Sequence, residues 1–95
     1  MREKLLEQKL KTQIEKSGGL CLKFVSPSFD GMPDRMILFP EGTIAFAEIK
    51  APGKKPRPLQ MARITKMRNL GFRVYVVDSA EMISELVKEV RPGEV

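Results

Sequence analysis

The chain has 95 residues, 42% hydrophobic and 31% charged, with a formal net charge of +5, one cysteine and no histidine. That length suits a single small domain spanning 1–95, whose core has little to spare, so burying further surface in a homodimer would help it. The missing histidine excludes Ser-His-Asp and Cys-His hydrolases, histidine-dependent nucleases and His-containing zinc sites; any catalysis must rest on carboxylates, lysine, a hydroxyl or a metal.

No stretch approaches the roughly 20 apolar residues of a membrane span. The start Met1-Arg2-Glu3-Lys4 leads into no apolar signal region. A cytoplasmic protein is the expectation, with no membrane partner. A lone Cys21 excludes an internal disulfide, and its place in the apolar run from Leu20 to Val25 reads as a buried strand residue rather than a reactive thiol.

Taken in order, Arg2 to Lys16 predicts a helix, with Leu6, Leu10 and Ile14 at spacings of four and charges on the other faces. Ser17-Gly18-Gly19 stops it. Leu20 to Val25 is a first strand, and Ser26 to Met32 a loop in which Asp30 serves the turn more readily than the site. Residues 33–50 then read as a β-hairpin around Pro40-Glu41-Gly42: proline presets the first turn residue and glycine accepts the left-handed position. The stretch from Ala51 to Pro58 holds three prolines and is a basic loop. A helix follows from about Leu59 to Asn69, with Pro58 near its first turn and Gln60, Ile64 and Met67 on one face. Phe72 to Val77 is the strongest strand signal. Asp78-Ser79-Ala80-Glu81 looks like an N-cap with a capping box. The last helix turns Met82 or Ile83, Leu86, Val87 and Val90 inward and ends at Arg91-Pro92-Gly93. The fold expected is α/β, in the order αβββαβα: a mixed four-stranded sheet flanked by helices, with a parallel, right-handed crossover between the third and fourth strands.

Charge is unevenly placed. From Ile49 to Val77 there are eight basic and no acidic residues, leaving nine basic against twelve acidic elsewhere, a local +8 against −3. A solvated face is the plain reading of such a run. A phosphate-binding surface is favoured because the run begins at a carboxylate pair; Lys54, Lys55, Arg57, Arg63 and Lys66 are its nucleic-acid-binding candidates.

That pair comes from the hairpin. A three-residue connection sets Leu38 opposite Ile44, Met36 opposite Phe46 and Asp34 opposite Glu48, with Cβ atoms about 5 Å apart. Alternation adds Lys50 to the same face. A two-residue turn at Glu41-Gly42 would instead set Asp34 against Ile49. Adjacent carboxylates repel unless a proton or cation lies between them, which points to a divalent metal beside a lysine. Magnesium, or manganese, held by Asp34 and Glu48 keeps positions for water and phosphate oxygens, with the Ile49 carbonyl as a further oxygen ligand. Lys50 could orient or deprotonate the attacking water, or offset charge in the transition state. The competing local reading is a surface ion pair worth about 0–1 kcal/mol.

Pro33-Asp34, then Glu48-Ile49-Lys50 after a hairpin-length gap, then Gln60 in the next helix, with Glu7 on an upstream helix, resembles the PD-(D/E)XK nuclease superfamily. The Gly18-Gly19 break, Gly31-Met32-Pro33-Asp34-Arg35 and Lys54 to Gln60 before a helix look like the stand-alone, phage-type VRR-NUC family; its Val-Arg-Arg signature is replaced here by Lys55-Pro56-Arg57-Pro58-Leu59-Gln60. The resemblance implies a restriction-endonuclease-like core. It also implies a metal-dependent, structure-selective DNA endonuclease of phage or bacterial origin, cutting branched DNA as a homodimer in the manner of Holliday junction resolvases. Asp34, Glu48, Lys50 and Gln60 would be catalytic, and Glu7, or Glu3 one turn earlier, would be a third carboxylate reaching the metal. The alternative is a non-catalytic nucleic-acid-binding module using the basic segment 50–73.

Overall fold

Apolar residues four apart form one stripe on a helix of about 3.6 residues per turn. The computed structural model, which describes residues 2–90, forms helix α1 over Glu3–Lys16 with Leu6, Leu10 and Ile14 buried and Arg2 at the N-cap. Its end is a Schellman turn: the Gly18 N–H donates to Glu15 O and the Gly19 N–H to Ile14 O, both at 3.0 Å. Gly18 takes φ +89, and a Cβ on Gly19 would lie 2.5 Å from Leu38 O, so both glycines are required.

Strand β1 covers Leu20–Lys23, β2 Arg35–Phe39, β3 Thr43–Ile49 and β4 Arg73–Val77; helices α2 and α3 cover Pro58–Asn69 and Ala80–Val90. The sheet order is β1-β2-β3-β4, antiparallel through the first three strands and parallel between β3 and β4. This is the expected αβββαβα order. Among the described residues no helix is long and apolar enough to cross a membrane.

The two faces of the sheet carry separate cores. Odd-numbered β2 and β3 residues, among them Ile37, Ala45, Ala47 and Ile49, pack with the stripes of α1 and α3. Even-numbered Phe46, with Met36 beside it, packs with Ile64 and Met67 of α2 and with Val74 of β4. The period of two in a strand makes this division, and it decides which polar residues share a face.

Local boundaries depart from expectation in three places. Strand β1 stops at Lys23, although the Phe24 N–H still donates to Asp34 O at 2.9 Å; Val25 turns out to solvent, 75% exposed. The capping box before α3 does not form. Ser79, not Asp78, is the cap, its hydroxyl accepting from the Met82 N–H at 3.2 Å, so Glu81 falls one position short of where a box needs it. The end of α3 at Arg91-Pro92-Gly93 lies outside the described residues.

The hairpin turn also differs in detail. Gly42 has φ +77 as expected, but Glu41 is left-handed too, at φ 67 and ψ 20. A side chain there costs roughly 1–2 kcal/mol, partly offset because glycine loses more backbone entropy on folding. Glu41→Gly is therefore expected to stabilise the protein by about 0.5–1 kcal/mol, read as a higher denaturation midpoint at unchanged m-value.

Candidate active site

The β2–β3 register pairs Met36 with Phe46 and Leu38 with Ile44. Carried one residue beyond the Arg35–Ala47 pair, it sets Asp34 opposite Glu48, on the α2 face with Met36 and Phe46. Helix α2 then supplies the third group. Gln60, the third residue of α2, is itself buried, and its Nε2 donates to Glu48 Oε2 at 2.8 Å. Its Oε1 accepts the Arg57 N–H at 2.8 Å, which satisfies a donor at the helix start. One amide thus ties the N-terminus of α2 to the carboxylate on β3. Lys50 Nζ lies 3.3 Å from the same Glu48 oxygen.

The other oxygens are free. Asp34 Oδ1 and Glu48 Oε1 are buried with no hydrogen-bond partner. Burial, and next the charge of Glu48, push the Asp34 carboxyl up to about 6, against a hydrogen bond from the Ile49 N–H and the opposing pull of Arg35. The Lys50 N–H donates to Val77 O on the β4 side at 2.9 Å; strand alternation turns the main chain of Ile49 the other way, toward Asp34. Two facing carboxylates with orphaned oxygens form a donor set that fits a hard divalent cation. Among the described residues no three His, Cys, Asp or Glu side chains gather closely enough to hold an ion. A pair suits magnesium, which is bound through one or two carboxylates and keeps several waters.

The chain is 43% identical over 86 residues to "Putative nuclease p44" of Acyrthosiphon pisum secondary endosymbiont phage 1, a match spanning 90% of this chain and 92% of that protein. The chain belongs to the VRR-NUC family of the PD-(D/E)XK nuclease superfamily. A solved structure described as a VRR_NUC domain is similar over 93% of this chain and 97% of its own, with 29% identity and a TM-score of 0.85; the restriction-endonuclease-like α/β fold is common to both. A scan against family models matches none.

Of the residues that the VRR-NUC resemblance singles out, Asp34, Glu48, Lys50, Gln60 and the main chain of Ile49 come together. Glu7 lines a cavity with Asp34 but, among the described residues, completes no three-carboxylate cluster with Asp34 and Glu48. The Glu7 Oε2 is held 2.7 Å from Arg35 Nη2, because Arg35, at an odd position of β2, projects from the sheet face on which α1 packs. Glu3 is exposed in the first turn of α1. Lys54, Lys55, Arg57 and Lys66 are exposed. Arg63 is not a free cation: its Nε donates to Asp30 O at 2.7 Å and its guanidinium lies 3.7 Å from the Phe29 ring centroid. Asp30 thus serves the loop, through its carbonyl. Cys21 is buried and free.

Arg35 is the residue that sequence reasoning passed over. It is 8% exposed, with Nε unpartnered. Alternation alone could have flagged it, since an odd position of β2 shares a face with the α1 stripe and a charge there needs a partner from α1. Glu7, one turn before Leu10, is the acid within reach.

Two outcomes follow from this geometry. Asp34 holds its proton to about pH 6 when folded, against an ordinary 3.8, so the folded state binds more protons and stability falls as pH rises through that window. In EDTA at about pH 8, Asp34→Asn is expected to melt several degrees above the native chain, and the gap should close below about pH 4. Gln60→Ala strips a buried donor from Glu48 and an acceptor from the Arg57 N–H, and is expected to cost about 1–3 kcal/mol in denaturant titration.

Proposed function

We propose that this chain is a Mg²⁺- or Mn²⁺-dependent, structure-selective endonuclease that hydrolyses phosphodiester bonds of branched DNA as a homodimer in the host cytoplasm. The observation that carries the reading is the facing pair Asp34 and Glu48, each with a buried oxygen lacking a partner, beside an ammonium group 3.3 Å from Glu48. A fold that sets two carboxylates face to face and compensates them only in part invites a cation. The names of its relatives support a nuclease.

Asp34 and Glu48 would hold the ion, with the Ile49 carbonyl as a third oxygen. When bound, it supplies positive charge against the phosphate oxygens and makes a water more acidic. Gln60 fixes Glu48 Oε2, which leaves Oε1 as the free acceptor. Lys50 hydrogen-bonds the attacking water or the phosphate from its place beside Glu48, orienting the one or offsetting the charge of the other. Lys54, Lys55, Arg57 and Lys66 bind flanking phosphates. Two symmetric cuts in one junction need two such sites in one particle, which a twofold dimer provides.

The test incubates purified protein with four-way junctions, flaps and nicked duplexes in Mn²⁺ or Mg²⁺. Cleavage is expected with the ion and none in EDTA; Glu48→Gln and Lys50→Met should each lower it by about 10²-fold or more while DNA is still retained. Binding without cleavage of any substrate sinks the reading and favours a binding module. Sedimentation with and without a junction reports the dimer.

A further inference from the structure

Two cavities adjoin one another outside the carboxylate pair. One, of about 280 Å³, is lined by Lys23, Phe24, Val25, Asp34 and Arg35. The next, of about 460 Å³, shares Lys23 and Arg35 and continues to Lys11 on α1 and Leu22 on β1. Glu7 borders both. Together they form a trench between α1 and the β1 edge, leading away from Asp34.

We propose that this trench takes one unpaired strand of the nucleic acid, on the side of the scissile phosphate away from the basic segment 50–66. The proposal rests on the nuclease reading above and extends it to a substrate path. Three cations against one carboxylate line the trench beyond Asp34, and none of the three lies in the basic segment. Arg35 is nearly buried and paired with Glu7 at 2.7 Å, so the two charges offset each other and Lys11 and Lys23 carry the net positive charge of the trench. Lys11 and Lys23 are exposed at the sides and supply the mobile contacts. Between the charges the lining is apolar: Leu22 is 41% and Val25 75% exposed. Alternating cations and apolar surface is the chemistry of single-strand binding, where phosphates are neutralised and bases stack or pack. The larger volume, about 460 Å³, lies within the range of small-ligand cavities, about 300–1,000 Å³, and the smaller, about 280 Å³, just below it, which suits nucleotides entering singly and not the body of a duplex. An enzyme whose site is reached this way acts where strands are splayed, at branches and flaps.

The chain contains no tryptophan, so Val25→Trp places a unique fluorophore in the trench at an exposed position that folding does not need. In EDTA, where nothing is cut, an oligothymidylate is expected to quench this tryptophan, and a blunt duplex of equal length is not. Lys11→Gln with Lys23→Gln should weaken oligothymidylate binding and lower the slope of log Kobs against log salt by about 0.7 for each lysine that meets a phosphate. A charge-matched pair, Lys16→Gln with Lys88→Gln, lies outside the trench and should leave the slope unchanged. Binding that leaves the introduced fluorophore unquenched, or that the trench and control pairs weaken equally, overturns the trench while the nuclease reading stands. Equal quenching by duplex overturns its preference for single strands. No binding of any nucleic acid by the native chain overturns both.

Discussion

The register of one antiparallel pair governs everything at this site. Strands β2 and β3 meet with Met36 against Phe46 and Leu38 against Ile44, and from that pairing alone Asp34 and Glu48 arrive on one face. A slip by one residue would send every side chain of one strand to the opposite face. It would bury Met36 or Phe46 against α1 and α3 and split the carboxylates between two layers. The register is therefore held by the apolar cores on both faces as much as by the turn. The turn tolerates a left-handed Glu41 to close it.

Bringing the acids together opposes folding in the absence of a cation. Water is excluded from one oxygen of each, and burial together with the Glu48 charge pushes the Asp34 carboxyl up. The surrounding groups relieve the repulsion only in part. Gln60 and Lys50 both act on Glu48 Oε2, and the Ile49 main chain acts on Asp34. The inner oxygens remain unserved. A site preorganised in this way has already met the cost of desolvation before an ion arrives, which is how a small domain can place a charge with little motion.

The sheet separates two electrostatic tasks. On the α2 face, Gln60 couples the helix start to Glu48. On the α1 face, Arg35 neutralises Glu7, one strand position away from Asp34. Adjacent residues of a strand point to opposite faces, so Asp34 and Arg35 are sequence neighbours with unrelated partners. The trench from Asp34 to Lys11 runs where these two layers meet at the β1 edge.

Much was legible in the sequence, for reasons local to the chain. Spacings of four marked the buried stripe Leu6, Leu10 and Ile14, Gly18-Gly19 marked the Schellman end of α1, and Pro40 to Gly42 set a register that brings Asp34 to Glu48. These depend on backbone geometry within a few residues. What tertiary structure alone decided depends on contacts distant along the chain. The resemblance offered Glu7, or Glu3, as a third carboxylate for the metal; the sequence did not show that Arg35, far along the chain on β2, pairs with Glu7. Arg63 looked like a free cation, yet the Phe29 loop engages it. A helical pattern gives the face of a side chain but not the charge that waits across the packing layer, because an ion pair is set by distance in space and by what solvent the layer removes.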